Sequence, residues 1–201
     1  MNIRIFSIAL LATQLGWVYA AIDCSTPQRD LIRNLGECCR KPKPDLSAFS
    51  SQCPNLNDRF RMSNLERVEC LFNASGVIKD EELQLDNTRK MVNAIYPNDP
   101  EFAKAVVLSF DKCQPVVKAR AAKIRSRRPT IVAPQPSVVT SKIFVIGYMS
   151  CAGQQLLVNC PSASRMSSNK CERTREFMTN CKPMIGTGNS GFHGGRLRWR
   201  T

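Results

Sequence analysis

Ten cysteines, sixteen carboxylates and a single histidine, His193, are the side chains of this 201-residue chain with chemistry to offer. Cysteine is a nucleophile or a metal ligand only as a thiolate, and each use needs partners: a histidine base for hydrolysis, or further thiolates and imidazoles around zinc. His193 lies in a glycine-rich stretch that offers nothing to hold it in a site, which argues against serine or cysteine hydrolysis and against a phospholipase-like mechanism. No CxxC pair occurs and Cys38 and Cys39 are adjacent, so zinc spacing is missing too, and no metal or other cofactor is expected. Glu66, Glu69, Asp80 and Glu101 leave carboxylate-only chemistry such as glycoside cleavage formally open. Yet Asp80 and Glu101 stand where helix caps and first turns put acids, and the reading is that this is not an enzyme.

The other chemistry open to cysteines is to pair with one another. Arg4, the apolar run Ile5 to Val18 and the small-residue step Val18-Tyr19-Ala20 have the form of a signal peptide over residues 1–20, with cleavage before Ala21. A membrane anchor is the competing reading, but the run is short, broken by Thr13 and Gln14, and lacks a basic stop-transfer flank. No later stretch approaches the roughly twenty apolar residues of a spanning helix. Export implies an oxidising compartment and a secreted, extracellular product. There Cys24, Cys38, Cys39, Cys53, Cys70, Cys113, Cys151, Cys160, Cys171 and Cys181 read as a disulfide framework with no free thiol.

Twenty-nine basic against sixteen acidic residues give a net charge of +13, but the excess is local. Seven cations fall in Lys112 to Arg128 and four in Lys182 to Thr201, both without an acid. Outside these segments and the signal, 17 basic residues face 16 acidic ones. The segments suggest a second kind of function, in which Arg125 to Arg128 and Arg196, Arg198, Trp199 and Arg200 bind anionic glycans or membrane surfaces by charge. Solvated loop and tail are the plainer reading, and export disfavours nucleic acid as a partner.

Which elements would position these residues follows from caps and periodicity. Leu31, Ile32 and Leu35 suggest a short helix after Thr26-Pro27, and Pro42, Pro44 and Pro54 then impose an extended or turning path. Ser63 and Glu66 have capping-box spacing ahead of Leu65, Val68, Leu71 and Phe72, and Gly76 ends that helix. Asp80 opens the next, with Glu81 and Glu82 in its first turn and Leu85, Val92 and Ile95 on one face, until Tyr96-Pro97 stops it. Asp99-Pro100-Glu101 starts a third, on which Phe102, Val106 and Phe110 recur every four residues. The basic run and Pro129, Pro134 and Pro136 read as an exposed insertion over about 114–141. Ile143, Phe144, Ile146, Tyr148, Met149, Leu156 and Leu157 form a buried helix, with a strand over 142–149 as the alternative because Gly147 weakens the helix. Ser168 to Cys181 fits a last helix, and 183–201 should be a disordered basic tail. The fold class is all-α: one disulfide-stapled helical domain over 21–182.

The cysteine spacing adds a resemblance. Eight residues separate Cys151 from Cys160, Pro161 follows at once, Cys171 and Cys181 come later, and Cys24, Cys38-Cys39 and Cys53 precede the Cys70 to Cys113 interval of 42 residues. Together with Glu69-Cys70-Leu71-Phe72-Asn73 and Leu156-Leu157-Val158-Asn159-Cys160-Pro161, this resembles the Plus-C odorant-binding proteins of insects from Cys24 to Cys181. Two departures stand out: Glu66 and Ser141 occupy positions where that family usually has cysteine.

The resemblance implies a secreted carrier of small hydrophobic ligands in olfaction or a related transport. The implied partners are the ligand and a chemosensory receptor or a homodimer. It implies the pairings Cys113 to Cys160 and Cys39 to Cys70, and leaves Cys151 without its usual partner; the remaining pairings stay open. The candidate apolar lining is Leu65, Val68, Phe72, Val92, Ile95, Phe102, Val106, Phe110, Phe144, Met149 and Leu157, for each of which plain core packing is the competing role. Tyr148 could orient a polar group of the ligand through its hydroxyl, as an alternative to satisfying a backbone carbonyl. A ligand of about fifteen heavy atoms at roughly 0.5 kcal/mol each would bind near micromolar, which suits reversible transport. Asn73-Ala74-Ser75 is a glycosylation sequon beside the Cys70 motif. Arg125-Ser126-Arg127-Arg128 has the form of a dibasic cleavage site, but Pro129 should hinder cleavage and keep the chain intact.

Overall fold

The computed structural model describes Cys24, residues 36–56, Asp58, residues 62–126 and residues 136–181, with backbone alone for 136–141. The expected signal peptide over residues 1–20, the expected helix after Thr26-Pro27 up to residue 35, the cations Arg127 and Arg128, and the expected tail with His193 and Trp199 lie outside the described residues.

Five α-helices make up most of what is described: α1 Asn64–Ser75, α2 Leu85–Ile95, α3 Pro100–Ser126, α4 Pro136–Val158 and α5 Asn169–Asn180. The capping signals explain three of their beginnings. At α1 the Ser63 amide donates to Glu66 Oε2 at 2.6 Å while Ser63 Oγ accepts from the Glu66 amide at 3.3 Å, the reciprocal box read from the sequence. At α3 Asp99 Oδ1 accepts from the Phe102 amide at 3.1 Å, and at α5 Ser168 Oγ accepts from the Cys171 amide at 3.2 Å. Gly76 ends α1 in the left-handed region with φ 59°, a conformation that a side chain would strain.

The sequence places the start of the second helix at Asp80, but α2 begins at Leu85 after Gln84. Asp80 and Glu81 instead form the tip of a short hairpin, β1 Ile78–Lys79 paired antiparallel with β2 Glu82–Leu83, and both take positive φ (51° and 65°). A two-residue hairpin whose twist matches its strands demands such φ values, and Asp tolerates them better than most residues. The acids at this tip therefore serve a turn and not a helix dipole.

Residues 114–126 are the continuation of α3, not an exposed loop. Cys113, Val117 and Ala121 recur every four residues and are buried, forming an apolar stripe hidden among the cations. Pro115 sits inside the helix, where it removes one backbone hydrogen bond, but it lies on the exposed side. Lys118 Nζ reaches Glu82 Oε1 at 2.6 Å and Arg125 Nη2 reaches Glu81 Oε2 at 2.7 Å, so the hairpin balances part of the basic run. At the other end of the segment, 136–141 is already helical as the start of α4. Lys142 to Met149 lie within that helix, which removes the strand alternative.

The antiparallel pair α3 and α4 forms the spine, α2 packs on α3, and α1 closes against α4 and α2. α5 lies against the far end of α4. Ahead of α1 the chain runs as a strap: the Arg40 amide donates to the Ser164 carbonyl at 2.7 Å, the Met166 amide to the Cys38 carbonyl at 3.3 Å, and the Asp45 amide to the Ile95 carbonyl at 2.8 Å. Arg175, almost fully buried on α5, donates to the carbonyls of Met166 and Cys38. The strap is thereby tied to the C-terminal elements on one side and to the end of α2 on the other.

All ten cysteines are paired: Cys24–Cys181, Cys38–Cys171, Cys39–Cys160, Cys53–Cys70 and Cys113–Cys151. The two pairings implied by the resemblance are therefore wrong. Cys113 faces Cys151 across the α3–α4 spine with 5.8 Å between Cα atoms, while Cys160 lies beyond the end of α4, where the strap brings Cys39 to it. Cys151 has a partner after all. Three bridges sew the strap to 160–181, one fastens α1 to the turn before it, and one locks the spine.

Candidate functional site

The spine and the two helices against it bury one dominant apolar cluster, and most of the candidate lining falls there. Phe72 from α1, Val92 and Ile95 from α2, Phe110 from α3, and Phe144 and Tyr148 from α4 are all buried in it. Leu65, Val68, Val106 and Met149 pack against it partly exposed. Phe110 is the hub: its ring centroid lies 5.8 Å from that of Phe72 and 6.0 Å from that of Tyr148, stacked on the latter.

Two candidates fall elsewhere. Phe102 is buried in a separate cluster with Ala105, Leu156 and the Cys39–Cys160 bridge, and its ring meets Tyr96 edge-on at 5.0 Å. Leu157 packs with Cys38 and Cys171 under α5. The face shared by Phe102, Val106 and Phe110 thus serves two clusters, because α3 runs past both. Leu157 belongs to the disulfide-laced end and does not converge with the others.

The sequence reading missed Val77, Leu83, Met91, Val117 and Val145, all buried in the main cluster. Met91 stands four residues before Ile95 and was detectable from helical spacing. Val117 was hidden by its charged neighbours. Val77 precedes, and Leu83 belongs to, a hairpin that the acids at its tip disguised.

Polar groups within this apolar region are few, and their partners differ. Thr88 Oγ1 donates to the Gln84 carbonyl at 2.9 Å and Ser109 Oγ to the Ala105 carbonyl at 2.7 Å, each turned back onto its own helix. Tyr148 is different. Its side chain is 0 % exposed, and its hydroxyl has no hydrogen-bond partner among the described residues. Burial pushes the phenol up to about 12, with the carboxylate of Glu82 adding in the same direction. Tyr148 is therefore a neutral hydroxyl at the operating pH of any ordinary fluid, able both to donate and to accept. A buried hydroxyl left without a partner costs on the order of 1–3 kcal/mol.

Several of the carboxylates are occupied in structural work. Glu66 caps α1, Glu81 and Glu82 pair with cations of α3, and Glu101 sits in the first turn of that helix. Asp80 shapes the hairpin tip. Among the described residues no group of three His, Cys, Asp or Glu side chains is placed to hold a metal ion. No described helix is long and apolar enough to cross a membrane.

No family model, curated protein or solved structure matches this chain.

Proposed function

We propose that the protein is an extracellular carrier of small hydrophobic ligands of the odorant-binding type, and that the ligand lodges among the side chains around Phe110 with a polar atom on the Tyr148 hydroxyl. The observation that carries this reading is the unpartnered hydroxyl inside the main apolar cluster. A site meant only for packing would gain from phenylalanine there, whereas an oriented polar tip amid apolar side chains is the usual composition of a small-molecule site. The lining supports the same reading. Phe72, Phe110 and Phe144 offer rigid aromatic walls, and the half-buried Met149 on α4 supplies an adaptable one.

The disulfides fit a carrier physically. A domain whose core must open around a guest gives up packing energy, and bridges that restrict the unfolded chain offset that loss without filling the interior. Five such bridges also suit an oxidising extracellular fluid. Of the basic interaction surface considered as an alternative, Lys118 and Arg125 are engaged by Glu82 and Glu81, which reduces the charge free to meet an anionic partner.

The direct test is displacement of an environment-sensitive fluorescent probe by a panel of terpenoid, aliphatic and aromatic compounds, with hydroxyl, carbonyl and purely hydrocarbon members. Micromolar displacement that is strongest for the oxygen-bearing members supports the carrier. Absence of displacement by every compound would remove it.

A further inference from the structure

Asn73-Ala74-Ser75 is the one Asn-X-Ser/Thr triplet in the chain, and its two ends have opposite fates in the fold. Asn73 is exposed on the last turn of α1, so a bulky group on its side-chain nitrogen would extend into solvent. Ser75 Oγ is buried, and the backbone around both is closed: the Gly76 amide donates to the carbonyls of Asn73 and Phe72, and the Val77 amide to that of Phe72. We infer that Asn73 carries an N-linked glycan and that the glycan is attached before α1 docks onto α2 and α4.

The chemistry sets the order. The side-chain amide nitrogen of Asn73 attacks the anomeric carbon of a lipid-pyrophosphate-linked oligosaccharide. The new N–C bond replaces the C–O bond to the pyrophosphate, which leaves with its lipid, and the amide gives up one proton. The transferase reads the hydroxyl two residues on together with the amide, and in the finished fold that hydroxyl faces inward. The folded protein therefore tolerates the product but cannot present the substrate.

Synthesis leaves time for the unfolded triplet to be used. A twelve-residue helix is marginal in water by itself, and α1 gains its partners only when α2 and then α4 exist. α4 starts roughly 60 residues after Asn73, which at ~5–20 residues per second is on the order of 3–12 s. Closure of Cys53–Cys70, which fastens α1 to the turn before it, competes with transfer during that interval.

Translation of the full chain in the presence of microsomes tests the site. A single mobility step removed by an N-glycan endoglycosidase is expected for the natural sequence and for S75T, and is lost in N73Q and S75A. Because Ser75 Oγ has no partner among the described residues, S75A should be recovered in the same oxidised amount as the natural sequence, which separates loss of the acceptor from loss of folding. A chain with no such step, whether translocated or not, overturns the assignment, as does a step that survives N73Q. The order is tested on unglycosylated, oxidised protein incubated with transferase and lipid-linked oligosaccharide. It should remain unmodified while the reduced, unfolded chain is glycosylated, and equal modification of both overturns the claim that transfer precedes docking.

Discussion

Val117 on α3 rests directly on the bare Cα of Gly147 on α4: a Cβ at Gly147 would stand 3.0 Å from Val117 Cγ1. Four residues away on each helix, in opposite directions, Cys113 and Cys151 join the same two backbones. The glycine that weakens a helix in the sequence is thus what lets the spine close tightly enough for the bridge.

Gly147→Ala should consequently destabilise the protein, by about 1 kcal/mol net, although alanine is the better helix former by about 1 kcal/mol. Val117 is β-branched, buried and confined in its rotamer, so it cannot yield, and the overpacking cost of about 1–3 kcal/mol wins. In a Val117→Ala background the same change should stabilise. Urea denaturation of the four proteins in this cycle measures the reversal, and additivity would contradict the close approach.

Tyr148→Phe should leave the ligand-free protein as stable as the natural one or about 1–2 kcal/mol more so, because it removes a buried hydroxyl that lacks a partner. Affinity for an alcohol, ketone or ester should fall about five- to tenfold, near 1–1.4 kcal/mol, while a hydrocarbon of matched size keeps its affinity. Thermal melts and titration with matched ligand pairs decide it. A loss of stability would mean that the hydroxyl has a structural partner and would weaken the carrier reading.

Glu66 links the sequence signal of α1 to a pH dependence. The Ser63 backbone amide, then the Ser63 side chain, hold its carboxyl below the usual 4.5, with a smaller contribution from Lys142. Because the folded value is the lower one, the cap's contribution is complete above the unfolded value and is lost as pH falls through the folded value. Glu66→Gln should therefore melt lower than the natural protein near neutral pH, with the gap closing below about pH 4. A gap that is constant with pH would show that ionisation at Glu66 is irrelevant to the cap.

The bridges should rank by the span they close. Chain-entropy reasoning gives about 3 kcal/mol for Cys53–Cys70, about 4 for Cys113–Cys151 and about 5 for Cys38–Cys171, whose separations are 17, 38 and 133 residues. Paired Cys→Ser variants compared by denaturant unfolding test the order. If the short Cys53–Cys70 bridge proves the most valuable, the unfolded-state explanation is inadequate for this protein.

What could be read in advance was local. Ser63 with Glu66, Asp99 with Phe102 and Ser168 with Cys171 are caps whose partners lie within three residues, so the chain spells them out. Most of the apolar residues chosen for the site do share one cluster, because helical spacing and burial go together. Asp80, read locally as a helix start, sits at a hairpin tip instead, and the other failures were relational. The cations of α3 drew attention from Cys113, Val117 and Ala121, and only the fold shows that Glu81 and Glu82 await two of them across the hairpin. Disulfide partners are set by which elements meet, and neither spacing nor likeness supplied that for Cys39, Cys113, Cys151 or Cys160.

The bridge between Cys24 and Cys181 spans 157 residues and encloses every described helix. Tension applied between the segments flanking these two cysteines would be carried by sulfur and would bypass the hydrogen bonds of the bundle. In a force-extension measurement the oxidised molecule should yield almost no added contour length, and reduction should release the enclosed chain.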